Sequence, residues 1–145
     1  MTAMTATRTA CLGLATLVTL SCSSVAPVKV EAGDQCFRCR RSISNERVAG
    51  EMIDSRRFVS KFRGPECMAK YLVAHPDEKP TIFVTDYASG KFMPPQKAFY
   101  VPEVVDPNTG ETDYRAYSQQ PDADAFAAEV HATPITWDAV LEQAR

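Results

Sequence analysis

Apolar and polar positions change period several times along this chain, and each change marks an element. After Cys36-Phe37-Arg38-Cys39, Val48, Met52 and Ile53 outline one strand and Phe58 and Phe62 a second, with the turn formers Asp54-Ser55-Arg56 between them. That pattern predicts a hairpin. Gly64-Pro65-Glu66 then opens a helix, because proline is tolerated at the first helical position and a glutamate in the first turn suits the positive end of the helix dipole. Pro76 closes it, and Cys67, Met68, Tyr71, Leu72 and His75 fall on one face at helical spacing. The β-branched and aromatic run Thr81-Ile82-Phe83-Val84-Thr85 reads as the strand that returns.

The same order recurs downstream. Ala98 to Val105 reads as a strand, Asp106-Pro107-Asn108-Thr109-Gly110 as a turn, Tyr114 to Tyr117 as a strand, and Pro121-Asp122 as the entry to a helix. Ala123, Phe126, Ala127 and Val130 give that helix its apolar face. A shift of 55 residues lays Phe62 on Tyr117, Tyr71 on Phe126 and Leu72 on Ala127. The expectation is an α+β fold of two small ββαβ units in one domain over residues 35–145, with halves at about 35–90 and 91–145. Thr136 N-caps a short closing helix in which Trp137 is a core residue.

The N-terminal stretch has a different character. Arg8, an apolar small-residue run from Ala10 to Leu20 and then Ser21-Cys22 form a secretory signal, too short for a membrane span. Thr19-Leu20-Ser21-Cys22 fits processing of the lipoprotein type, which makes residues 1–21 a signal peptide and Cys22 the lipidated residue; an ordinary signal cut nearby is the alternative. The lipid chains on Cys22 would hold the protein at a membrane surface outside the cytoplasm. Residues 22–34, without period and rich in small and turn-forming residues, read as a tether, with the folded unit starting near Gln35.

With 45% hydrophobic and 23% charged residues, the composition is that of a globular domain, and a net charge of −2 gives no argument for nucleic acid. Charge is lopsided: eight basic residues against three acidic between Arg38 and Arg63, nine acidic against two basic from Val101 to Arg145. Solvated faces of opposite sign account for this, and charge steering of a partner is the functional alternative.

Taken together, the order of motifs resembles the NosL family, accessory lipoproteins of nitrous oxide reductase maturation. The resemblance rests on the lipoprotein-like signal, the Cys-x-x-Cys opening, the segment Phe62-Arg63-Gly64-Pro65-Glu66-Cys67-Met68-Ala69-Lys70-Tyr71-Leu72, and Phe83-Val84-Thr85-Asp86-Tyr87 with Ser89-Gly90. Lys97-Ala98-Phe99-Tyr100-Val101 and Asp124-Ala125-Phe126-Ala127-Ala128-Glu129 complete it. It implies a periplasmic protein of two ββαβ halves that binds Cu(I) and hands it to a copper-accepting enzyme or its assembly machinery. The chain departs from the family at two places. Arg40-Arg41 stands where Gly-Met usually follows the second cysteine, and Thr109-Gly110 stands near where a Met-Gly segment often follows the late hairpin.

Cu(I) prefers soft thiolate and thioether donors. Cys36 and Cys39 are close enough in sequence to share one ion, Cys67 at the start of the first helix offers a third sulfur, and Met68 is an adjacent option. Cys67 is favoured over Met68 because neighbours on a helix point about 100° apart. Met52 and Met93 read as core filler. Two other readings stay open: a structural Cys36–Cys39 disulfide, and Zn(II) held by Cys36, Cys39, Cys67 and His75. His75 and His131 sit at helix C-termini, where imidazolium suits the dipole. No carboxylate pair in an apolar frame, nucleophilic triad or phosphate loop stands out, so no enzymatic activity is expected. The competing functional class is a disulfide-stabilised interaction module that kept the fold, lost the metal and docks through the basic 38–63 surface.

Overall fold

A computed structural model of the chain describes residues 24–145. The proposed signal and the lipidation of Cys22 lie outside the described residues. The elements follow the order β1 (Gly50–Ile53), β2 (Val59–Phe62), α1 (Pro65–Ala74), β3 (Thr81–Thr85), β4 (Phe92–Met93), β5 (Phe99–Asp106), β6 (Glu111–Tyr117), α2 (Gln120–Glu129) and α3 (Trp137–Gln143), with a 3-10 turn at Pro95–Lys97.

Two hairpins organise the fold, and it is mixed α and β. In the first, β1 pairs antiparallel with β2, Gly50 opposite Phe62, and β3 pairs with the other edge of β1, Gly50 opposite Val84. The short β4 extends this sheet to the order β2-β1-β3-β4. In the second, β5 pairs with β6, Phe99 opposite Tyr117, and the returning strand is reduced to a single bridge between Tyr100 and Ile135. Both halves are therefore ββαβ in outline, with the first strand central in each. A parallel bridge from Asp86 to Ala116 ties one half to the other.

Alternation along the second hairpin serves two cores at once, as the period of a strand requires. Tyr100, Tyr114 and Ala116 face the main core with Phe62, Met68, Val84, Trp137 and Val140. Val101 and Tyr117 face the opposite way, against Ala123 and Ala127 of α2. Helix α1 packs on β1 and β2, and also on β6 and α3.

Several boundaries differ from the sequence expectation; β1 begins at Gly50, leaving out Val48, and β6 begins already at Glu111. Residues 28–34 lie on the domain instead of leaving it as a tether: Val30 is buried with Ile43 and Ala49, and the Val28 N–H donates to Glu51 Oε1 at 2.7 Å. One buried valine, the Val28–Glu51 hydrogen bond and the Asp34–Lys61 ion pair hold the segment, a signal with no period to read. His75, expected on the packed face of α1, is exposed, because the helix ends at Ala74 and His75 leaves helical geometry as its C-cap. Its ring stacks on Tyr71 with centroids 4.1 Å apart. Val130 is likewise exposed, one residue past the end of α2.

Candidate metal centre

The Cys-x-x-Cys segment is a tight loop closed by its own backbone. The Cys36 N–H donates to Arg41 O and the Arg40 N–H to Cys36 O, both at 2.9 Å, and an isolated bridge joins Gln35 to Ser42 just outside. The Phe37 N–H donates to Lys61 O at 2.7 Å, which pins the loop to β2. Arg40 turns the chain in the left-handed region, at φ 62°, where a side chain is disfavoured and glycine costs nothing. This is the position at which the resemblance leads one to expect glycine. The Arg40 guanidinium covers the Phe37 ring, 5.4 Å from its centroid, and Phe37 stands edge-on to Phe62 and Tyr71.

The third cysteine arrives from α1. Gly64 precedes the helix in an extended conformation and lies so close to the Asp113 carboxylate that a Cβ would overlap it. Asp113, buried on β6, accepts the Glu66 N–H at 3.0 Å and the Tyr114 N–H at 2.8 Å. The first turn of the helix, which lacks a cap from its own Gly64, is thus satisfied by a side chain from the other half of the molecule. Burial raises the Asp113 carboxyl to about 6 despite these two donors.

The sulfurs of Cys36, Cys39 and Cys67 all lie within 4.8 Å of one another. Cys36 and Cys67 are buried, Cys39 is half-buried, and all three are free thiols. The Cys67 thiol donates to Cys36, the main reason the Cys36 thiol is held well below the ordinary range; backbone N–H groups of Cys39, Arg63 and Arg38 add to it. The same hydrogen bond, followed by burial, pushes Cys67 up. An ion bound among the three sulfurs would meet a set already arranged for negative charge.

Of the other sequence candidates, Met68 is buried in the main core with its methyl against Gly50. His75 stands apart, its Nδ1 2.8 Å from Tyr71 O, and takes no place in the group that could hold an ion. A four-ligand zinc site with His75 is therefore not assembled among the described residues.

The basic character around the cluster was apparent from the sequence, but its pairing with Glu111 was not. Arg41 forms two hydrogen bonds with the Glu111 carboxylate, one of 2.9 Å, and Arg63 reaches the same carboxylate at 2.6 Å. The Arg41 guanidinium is held charged first by Glu111 and then by the Cys39 sulfur. Glu111 opens β6, directly after Thr109-Gly110. The ion pair thus runs from Arg41, where the resemblance expects a methionine, to Glu111, beside the Thr109-Gly110 segment that stands near the other expected methionine. The only local signal was the doubled arginine itself.

Comparison with known proteins agrees with this architecture. The sequence model of the NosL family matches residues 27–144. Among solved structures, the copper chaperone NosL from Shewanella denitrificans is similar with a TM-score of 0.59 and 20% sequence identity, over 77% of this chain and 96% of that one; a likeness at this identity shows the fold. No curated protein matches by sequence.

Proposed function

Because that match spans nearly all the described residues, the chain belongs to the NosL family, and we propose from this membership that it is a Cu(I)-binding metallochaperone. The observation that carries the reading is the convergence of three free thiols within 4.8 Å, two of them buried. Soft sulfur donors in a low-dielectric setting suit a soft monovalent cation, and three ligands suit its low coordination number.

The roles divide by exposure. Cys36 and Cys67, buried on the loop and on the helix, are the holding ligands. Cys39 is half-buried on the loop, and its sulfur is where an acceptor's ligand meets the ion. Transfer is then a ligand exchange beginning at Cys39, in which the acceptor's ligands replace the three sulfurs one by one and the freed thiolates take up protons from solvent. In this reading the chain is exported, anchored through a lipid on Cys22, and works at the periplasmic face of a membrane. Its acceptor is a copper enzyme or its assembly machinery, and family membership points to nitrous oxide reductase maturation.

The test is anaerobic titration of the reduced domain with Cu(I) against a competing chelator, with a thiol count on protein taken from the periplasm. One tightly bound ion and free thiols are expected. C67S should weaken binding by at least roughly tenfold, since even outer-shell changes at metal sites cost about 10–100-fold. If the chelator keeps all the copper and Cys36 and Cys39 emerge joined, the chain is instead an interaction module that kept the fold without the metal. The anchor is tested separately: labelled palmitate should enter the wild type and not C22S, and an unlabelled wild type would sink that part.

A further inference from the structure

We propose that Glu111 is a positioning residue of the three-sulfur site, holding the far end of the Cys-x-x-Cys loop so that Cys39 stays within reach of the ion. This rests on the metallochaperone reading and concerns where one ligand is held, not which ligands there are.

The loop is fixed unevenly. Its start is pinned by backbone, since the Phe37 N–H donates to Lys61 O at 2.7 Å and the Cys36 N–H to Arg41 O at 2.9 Å. Cys67 is fixed independently, because the neighbouring Glu66 N–H donates to Asp113 Oδ1 at 3.0 Å. Among the described residues, no backbone-to-backbone hydrogen bond ties Cys39 itself to another element. The chain leaves it through Arg40, at φ 62°, and Arg41, both exposed.

What holds that end is a side chain from the other half of the molecule. Arg41, just past Cys39, donates twice to the Glu111 carboxylate, 70 residues away, and Arg63, just before α1, donates to Glu111 Oε1 at 2.6 Å. One carboxylate thus links the exit of the loop to the strand end that runs into the helix of Cys67. An isolated exposed ion pair contributes little to stability. This one is a two-pronged arginine–carboxylate contact within a network, and the Glu111 and Arg63 side chains are only 23% and 18% exposed. Glu111 is itself placed by the β5–β6 turn, where Gly110 adopts φ 70° and the Glu111 N–H donates to Thr109 Oγ1 at 3.3 Å.

Charge and geometry predict opposite results for E111A. Through its field alone, removal of an anion favours a complex of thiolates with a monovalent cation, which is negative, and copper binds more tightly. Through position, its removal frees the exit of the loop, and copper binds more weakly.

The experiment measures Cu(I) affinity of the reduced wild type, E111A, C39S and the C39S/E111A double variant by competition with a chelator, with thermal melting to check folding. E111A should lose about tenfold, the low end of what outer-shell changes at metal sites cost. In the C39S background the same change should cost less than about twofold, because the ligand it positions is gone. X-ray absorption at the copper edge should count one sulfur fewer around the ion in E111A than in the wild type. R41Q, which frees the loop and leaves Arg63 paired, takes the place of E111A if that variant does not fold, and should show the same dependence on Cys39. Equal losses in both backgrounds would make Glu111 a support of the fold at large and overturn the assignment, as would unchanged or tighter binding by E111A. A wild type that binds no Cu(I) overturns the chaperone reading as well.

Discussion

At the scale of single residues, left-handed backbone is the clearest departure from what side chains prefer. Arg40 and Arg57 both adopt positive φ, at 62° and 67°. Arg40 has a partner in the Phe37 ring. Arg57 is exposed in the β1–β2 turn, its N–H donating to Asp54 O, and its side chain pairs with nothing among the described residues. R57G should therefore raise stability by about 0.5–1 kcal/mol, the relief of left-handed strain less the added freedom of the unfolded chain. A chemical-denaturation midpoint measures this, and an unchanged or lower midpoint would show the turn unstrained. The cysteines were legible one by one, since their spacing is local. The Arg41–Glu111 pair was not, because no period links residues 70 apart; only the unexpected doubled arginine marked one end of it.

Between elements, the decisive joints are made by carboxylates. Asp86, just after β3, accepts from the Ser89 N–H and from the Ser118 N–H at 2.9 Å, joining the halves where the Asp86–Ala116 bridge forms. Asp113 does the corresponding work for α1. Its folded value of about 6 lies above the unfolded 3.8, so the folded state holds the proton more tightly. Stability from this group is fully present below pH 3.8 and is lost as pH rises through 6. The two-unit shift corresponds to about 3 kcal/mol for this buried carboxyl. Asn at this position keeps an acceptor for the Glu66 and Tyr114 N–H groups without the charge. D113N should thus gain on wild type by up to that amount between pH 4 and 8, read as diverging denaturation curves. Parallel curves would mean that Asp113 titrates normally. Glu51, also raised by burial, is common to both proteins and cancels in the comparison.

Element legibility followed the strength of local punctuation. Pro65 and Pro76 bracketed α1, and the β-branched run gave β3 with its observed bounds. The two-residue β4 and the single Ile135 bridge carry too few residues to show a period, and both passed unnoticed. His75 continues the 3.6-residue repeat of α1 in sequence but lies one residue past the end of the helix, where the backbone no longer follows it.

For the molecule as a whole, the N-terminal segment is part of the fold. Val30 fills a small core with Ile43, Ala49 and Phe92, and Asp34 pairs with Lys61 at 2.6 Å. A chain beginning at Gln35 should be less stable than one beginning at residue 27 by on the order of 2–3 kcal/mol, from one buried valine and a partly exposed ion pair. Equal melting temperatures would return these residues to the role of a tether. The sequence could not reveal this, since three valines among small and turn-forming residues do not say which of them is packed.

The closeness of the three sulfurs has a further consequence, in redox terms. Three is an odd number, and an odd set of thiols cannot be closed by pairing. Whichever two sulfurs join in an oxidising compartment, the third remains a neighbour, having started within 4.8 Å of both. A thiolate so placed attacks the disulfide it adjoins. The oxidised protein is then a set of interchanging isomers, and a single two-electron reductant acting on any of them restores the whole cluster.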